Sequence, residues 1–196
     1  MGRRLTDGAR DPTVTSKTPT EGNVPLERYD ASTLVGLKTY VHNAAVRRVD
    51  AENEVSIELP KQRELLASAA VLRCLTPIRL RGYEIKALRK ILRLTAVEFA
   101  KKLDEKTAPE TISRWENEAQ PIGGFAEKTL RLLVCEELTK EAPGVAYEAS
   151  KIAYLRVTDP WLMNPDYEMP YIHLRLVRLK ERSGAVIDAW DVKEAA

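Results

Sequence analysis

Glu110 and Arg114 are two charged residues four positions apart, a spacing that places both side chains on one face of a helix. Ile112 and Trp115 fall on the other face, where apolar side chains enter a core. An arginine can make two hydrogen bonds to guanine in the DNA major groove, and a glutamate can accept one from cytosine. The spacing therefore predicts that both side chains project into a groove of DNA, where Arg114 contacts either a base or a phosphate.

Two further signals predict the helices that hold these residues. Thr95 and Glu98 have the spacing of a capping box, in which the threonine hydroxyl accepts from the glutamate amide and the glutamate reaches back. Pro109 suits the first position of the next helix, and either Thr107 or Ala108 is its N-cap. The helix that precedes Thr95 has its apolar face at Ile85, Leu88 and Leu92. Three short helices at this spacing form a helix-turn-helix.

Residues 94–103 and 110–117 resemble the Xre/Cro family of DNA-binding domains, and are most similar to the antitoxins of the MqsA and HigA type. The resemblance spans roughly residues 82–135. It implies that Glu110 and Arg114 read bases and that Asn117 meets a phosphate through its backbone amide. The turn before the third helix is about two residues longer than usual, and Ala96 replaces a glutamine that contacts the DNA backbone in many relatives. The predicted DNA-binding residues are Thr95, Thr107, Ala108, Pro109, Glu110, Thr111, Ser113, Arg114 and Asn117.

The resemblance also implies a partly buried salt bridge between Arg89 and Glu116, with a phosphate contact by Arg89 as the alternative. Trp115 either packs in the core or stacks on a base, and its spacing from Ile112 favours the core. Ala100 falls where the two motif helices cross, and its small side chain lets their backbones approach closely.

No metal or cofactor is expected. Antitoxins of the MqsA type begin with a zinc module held by cysteines, but residues 31–72 contain no cysteine. Cys74 and Cys135 are the only cysteines, and both fall on apolar helical faces, which predicts inert core thiols. His42 and His173 lie in different segments without a ligand set, so each is expected at the surface or half-buried. Because the sequence has no glycine-rich phosphate loop, nucleophile elbow or catalytic carboxylate pair, we expect no enzymatic activity.

The net charge of +2 hides an uneven distribution. Residues 73–103 contain nine basic residues and two acids, whereas residues 136–170 contain seven acids and three bases. The basic stretch predicts the binding surface for a polyanion. Alternatively, its members Arg73, Arg79, Arg81, Lys86 and Lys90 only solvate the surface.

The 196 residues divide by composition into four parts. These are a flexible arm (1–28), a small zinc-free β-rich module with a helix (29–75), the helix-turn-helix domain (76–142) and an extension with a β-hairpin (143–196). The hairpin is predicted from Tyr171 to Trp190 around a turn at Ser183-Gly184, and either a second subunit or the helical domain must cover its apolar face. The expected fold class is α+β.

These observations favour a cytoplasmic, sequence-specific regulator that represses transcription as a homodimer on a double-stranded operator. No apolar run of about 18 residues and no secretory signal is present, so no membrane association is expected. The rival hypothesis is an antitoxin or antiactivator whose main task is to sequester a protein such as a toxin.

Overall fold

The structure, a computed structural model, describes residues 23–50, 52–180 and 184–193. These form five strands, seven α-helices and two short 3-10 helices, so the predicted α+β class is confirmed. The strands are β1 (Val24–Asp30), β2 (Thr39–Val49), β3 (Val55–Glu58), β4 (Ile172–Lys180) and β5 (Val186–Val192). The α-helices are α1 (Ser32–Val35), α2 (Gln62–Leu75), α3 (Gly82–Ile91), α4 (Ala96–Leu103), α5 (Pro109–Glu116), α6 (Gly124–Leu138) and α7 (Ala149–Ala153). The 3-10 helices are Thr139–Glu141 and Pro160–Leu162.

One sheet contains strands from both the N-terminal and the C-terminal part of the described chain. Its strand order is β1-β2-β4-β5, and β3 pairs with β2 beside this path. The β2–β4 pair is parallel, with Val41 opposite Leu174, and the other pairs are antiparallel. The predicted segments 29–75 and 143–196 therefore share one layer of hydrogen-bonded strands.

Strand β2 changes its partner half-way along one edge, while β1 pairs with residues 40–47. Residues 39–42 pair with β4, and residues 46–49 pair with β3. Between them Asn43 has a φ of 53°, in the left-handed region that asparagine tolerates better than most residues. Because β2 continues through Asn43 as one strand, the change of partner takes place within a single element.

Helix α2 connects the sheet to the other helices. It contacts β4 and β5, and it also packs on α3 and α6. Leu65, Ala69 and Ala70 are fully buried, as are Leu174 and Trp190 of the hairpin. Because small and apolar residues occupy most positions of its middle turns, α2 can be covered on more than one side.

Two predictions about the ends of the chain need correction. The predicted arm reaches to residue 28, but residues 24–28 belong to β1, while residues 1–22 lie outside the described residues. Pairing with β2 fixes this edge strand, although its mostly exposed side chains give it no alternating apolar pattern. The predicted hairpin is confirmed as β4 and β5, but the helix that packs against it is α2, from the predicted β-rich module rather than from the helix-turn-helix domain. Ser183 of its predicted turn lies outside the described residues.

No helix in the described part of the chain is long and apolar enough to cross a membrane.

Candidate nucleic-acid interface

Helices α3, α4 and α5 build the predicted helix-turn-helix. The Thr95 side chain accepts from the Glu98 amide, and the Glu98 carboxylate accepts from the Thr95 amide at 2.8 Å, so the capping box that begins α4 is confirmed. The Thr95 amide and then the Thr95 hydroxyl, which both donate to the Glu98 carboxylate, lower the pKa of Glu98. Pro109 is at the first position of α5, as predicted, and Ala108 rather than Thr107 is the N-cap.

Helix α5 has one buried face and one exposed face. Ile112 is fully buried and Trp115 is nearly so, and both belong to the same core as Phe99 and Ala100 of α4. The predicted core position of Trp115 is therefore confirmed, and its ring is not available for stacking on a base.

The side chains of the exposed face are free to contact a ligand. Glu110 and Arg114 are both exposed, and neither has a hydrogen bond or ion pair from its side chain to any described residue. Ser113 lies between them and accepts a weak hydrogen bond of 3.3 Å from the Asn117 amide group. A carboxylate and a guanidinium one helical turn apart therefore point away from the core without internal partners.

The other predicted site residues lie at the ends of the motif helices. Thr95 is exposed before α4, and Asn117 is exposed at the C-cap of α5. Thr107, Pro109 and Thr111 are half-buried, whereas Ala108 is exposed. The turn Asp104–Ala108 is closed by a bond of 3.0 Å from the Thr107 amide to the Asp104 carbonyl. Ala108 provides no side-chain cap, Pro109 has no N–H, and the Thr111 amide donates to the Ala108 carbonyl at 2.9 Å, so in the first turn of α5 only the Glu110 amide has no partner among the described residues.

Arg89 fixes α5 relative to the other two helices. Its guanidinium donates to both carboxylate oxygens of Glu116, at 2.6 and 3.0 Å, and to the Leu94 carbonyl at 2.9 Å. The bond to Glu116 raises the pKa of Arg89. This confirms the predicted salt bridge and leaves Arg89 committed to the interior, not to a phosphate.

Gly82 allows a close contact between α3 and α5 that sequence reasoning missed. A Cβ atom at Gly82 would lie 2.6 Å from the carbonyl oxygens of both Trp115 and Glu116. Since real side chains do not approach a backbone so closely, only glycine lets the C-terminal end of α5 lie against the first turn of α3. The Gly82 amide also donates to the Glu118 carboxylate at 3.0 Å, just beyond α5.

Two buried ion pairs hold the loop of residues 76–81, which leads from α2 into α3. Arg73 donates to Glu84 at 2.5 and 2.7 Å and to the Ile78 and Arg79 carbonyls. Arg131 donates to Glu127 at 2.7 Å and to three carbonyls between residues 74 and 78. All four charged side chains are at most 2% exposed.

These pairs correct the expectation that Arg73 belongs to a surface for polyanions. The sequence held a signal for each buried ion pair. On α2 a single arginine interrupts a hydrophobic face, and on α6 a glutamate and an arginine are four positions apart.

Acids from elsewhere in the chain neutralise part of the basic stretch of residues 73–103. Five of its nine basic side chains form ion pairs: Arg73–Glu84, Arg79–Asp159, Arg81–Glu118, Arg89–Glu116 and Lys102–Glu137. Four remain exposed without an ion pair to any described residue: Lys86, Lys90, Arg93 and Lys101. The local excess of charge counted from the sequence thus overstates the field around the helix-turn-helix.

The two histidines lie together on the sheet, contrary to expectation. His42 Nε2 is 2.9 Å from His173 Nδ1, and Lys193 Nζ is 3.2 Å from His42 Nδ1. His42 is buried, not at the surface, and burial is the main cause that lowers its pKa; Lys193, His173 and Arg28 lower it further. Because the Lys193 ammonium only donates, His42 Nδ1 accepts, and His42 Nε2–H then donates to His173.

The two cysteines also meet, although 61 positions separate them in the sequence. Cys74 and Cys135 are both free and fully buried, as predicted. A hydrogen bond with Cys74, together with burial, raises the pKa of the Cys135 thiol. Across the described residues, no group of three or more histidine, cysteine or acidic side chains is arranged to hold a metal ion.

Comparison with protein families agrees with this geometry. Residues 80–142 match the family model described as Aca2/YdiL-like, a helix-turn-helix-like family of regulators and antiactivators. The match begins just before α3 and ends after α6, so it covers the helix-turn-helix and roughly a third of the chain. The chain is therefore similar to this family over its helical part. No curated protein and no solved structure matches the chain.

Proposed function

We propose that this protein is a transcriptional regulator that binds double-stranded DNA sequence-specifically through α5, with the Xre/Cro type of docking. The observation that carries the proposal is the pair Glu110 and Arg114, which are exposed and have no side-chain partner among the described residues. All four arginines from residue 73 to residue 89 are in ion pairs, whereas Arg93 and Arg114 are not. An unpaired arginine on a rigidly held helix suits a bidentate contact to guanine in the major groove.

The supports of α5 favour this function as well. The Arg89–Glu116 salt bridge, the close contact at Gly82 and the burial of Trp115 together hold the C-terminal end of the helix. Reading base edges requires side chains held by elements that do not shift. The free Glu110 amide at the start of α5 is a donor that a backbone phosphate could accept from.

We further propose that the protein binds its operator as a homodimer and has no catalytic role. One recognition helix contacts only a few base pairs, so specific operators usually present two half-sites about 34 Å apart. Since only a few basic side chains near the motif are unpaired, we expect a moderate salt dependence from the phosphate contacts.

The test begins with in-vitro selection of DNA sequences bound by the full chain. On the selected site, Arg114→Ala should lose roughly 1–3 kcal/mol of binding free energy, and its affinity for random DNA should change little. Arg47→Ala is the matched control, because Arg47 is an exposed arginine on β2, outside the motif, without an ion pair to a described residue. Failure to select any sequence, or an equal loss on selected and random DNA, would contradict base reading by Arg114.

A second candidate function is the sequestering of a protein partner, as in an antitoxin or antiactivator. An apolar groove beside α3 favours it, and this groove does not overlap the exposed face of α5. The two functions are compatible, because each uses a different face of the helical domain.

A further inference from the structure

An apolar groove of about 410 Å³ lies between α1, α2 and α3. Its apolar walls are formed by Leu34, Leu66, Ala87 and Ile91, and Lys86 and Lys90 stand on its rim. Ala87 and Ile91 are buried, whereas Leu34 keeps 44% of its surface exposed. This surface is called the α1–α3 groove below.

The charge of the α1–α3 groove is of one sign. Its lining residues include two lysines and no acid. Lys86 and Lys90 are one helical turn apart, exposed, and without an ion pair to any residue that the structure describes. Tyr83, one turn earlier on the same face, keeps 47% of its surface exposed, and its hydroxyl is a hydrogen-bond donor at neutral pH. Three donors and no acceptor carboxylate therefore border an apolar floor.

We propose that the α1–α3 groove binds an acidic amphipathic helix of a protein partner. Such a helix places apolar side chains at i, i+3 or i+4, and i+7 into a groove, and its flanking carboxylates then meet basic residues on the rim. Lys86 and Lys90 have the one-turn spacing that matches two glutamates on the neighbouring face of that helix.

Other ligands fit the α1–α3 groove less well. Small-molecule sites usually bury most of the ligand, whereas here the wall residue Leu34 remains nearly half exposed. Duplex DNA would pair its phosphates with Lys86 and Lys90, but it would leave the apolar wall uncovered. A helix with both acidic and apolar side chains is the occupant that satisfies both features.

The α1–α3 groove is separate from the proposed DNA face. Helix α3 directs Arg89 toward Glu116 of α5. Tyr83, Lys86 and Lys90 follow one another at helical spacing along the face that borders α1 and α2. A partner helix in the groove therefore leaves the exposed side of α5 open, so this inference does not depend on the proposed DNA binding.

The experiment measures binding of a synthetic 18-residue helical peptide to the full chain by calorimetry at low salt. The peptide has leucines at i, i+3 and i+7 spacing and glutamates on both sides, and the control peptide has lysines in place of the glutamates. We expect the acidic peptide to bind and the basic peptide not to bind. Leu34→Ser and Lys90→Glu should each weaken binding about tenfold or more, since one removes apolar contact and the other reverses a rim charge.

Lys101→Glu is the matched control, because Lys101 is also an exposed lysine without an ion pair to a described residue but lies on α4, outside the groove. It should leave peptide binding unchanged. The proposal is overturned if the acidic peptide does not bind, or if folded Leu34→Ser and Lys90→Glu bind it as well as the original chain. Arg114→Ala should lose affinity for selected DNA and still bind the peptide. Leu34→Ser should lose affinity for the peptide and still bind selected DNA. Failure of the groove proposal can therefore be told apart from failure of the proposed DNA binding.

Discussion

Replacing Arg131 by an apolar residue of similar size should destabilise the protein more than any other substitution of that kind. Arg131 is fully buried, and its guanidinium donates to the Glu127 carboxylate and to the carbonyls of Cys74, Thr76 and Ile78 at 2.6–2.7 Å. Arg131→Met keeps most of the length of the side chain and removes all of its hydrogen-bond donors. The Glu127 carboxylate then stays 1% exposed and loses its close cation, keeping only the Leu80 amide at 2.9 Å and the Arg79 guanidinium at 3.9 Å.

The expected cost follows from the stranded charge. Removing one partner of a buried ion pair typically costs about 3–5 kcal/mol, because the remaining charge is desolvated without compensation. Native domains have only about 5–15 kcal/mol of stability in total. For a chain of this size, each kcal/mol lowers the melting temperature by about 2–4 °C. Arg131→Met should therefore melt roughly 6–20 °C lower.

Urea unfolding followed by circular dichroism measures the lost free energy of unfolding, with Lys102→Met as the control. Lys102 pairs with Glu137 at the surface, where both side chains are more than 40% exposed, so its loss should cost about 1 kcal/mol or less. Adding Glu127→Gln to Arg131→Met should restore part of the stability, because the stranded charge is gone. If Arg131→Met costs no more than Lys102→Met, the inference that the loop of residues 76–81 depends on buried ion pairs is wrong.

Three further outcomes are expected. Gly82→Ala should push α5 away from α3 and so weaken binding to selected DNA, even though Gly82 lies on α3 and not on the exposed face of α5. Unchanged affinity in a gel-shift titration would contradict the 2.6 Å approach. Thr95→Ala removes the cap of α4 and should cost about 1 kcal/mol in the same urea assay, whereas Thr95→Ser should cost much less. Burial lowers the pKa of His42 below 6.5, so the unfolded chain takes up a proton before the folded chain does as the pH falls. The free energy of unfolding should therefore be full above pH 6.5 and decline below it. The variant His42→Asn should flatten that decline.

The sequence predicts the helix-turn-helix well because its signals are local. A capping box, a proline at a first helical position and apolar residues three or four apart act within one or two turns. The Arg89–Glu116 salt bridge was implied by family resemblance, and the structure confirms it. Edge strand β1 was missed because pairing with β2, a non-local contact, forms it, and its own residues lack an alternating pattern.

The surface charge was predicted less well, and the reason is also non-local. A count over residues 73–103 sees only the acids within that stretch, whereas four of the five acids that pair with its basic residues come from outside it. Two of these, Glu116 and Glu118, follow the exposed part of α5, and their partners Arg81 and Arg89 lie at the two ends of α3. Arg81 and Arg89 therefore hold the C-terminal end of α5, the proposed recognition helix, whereas Lys86 and Lys90 of α3 do not take part.

This arrangement determines how specific and non-specific binding should be related. If most arginines near α5 hold the helix in place, phosphate contacts contribute less affinity than the sequence count suggests, and base contacts by the unpaired Glu110 and Arg114 contribute more. Affinity for the selected site should then fall by less than about 10³-fold between 50 and 200 mM salt, the lower end of the loss expected for six to ten phosphate contacts. Fluorescence anisotropy on the selected site measures this dependence directly. A fall near 10⁵-fold would mean that the basic side chains leave their ion pairs on binding, and the rigid support of α5 by Arg81 and Arg89 would have to be abandoned.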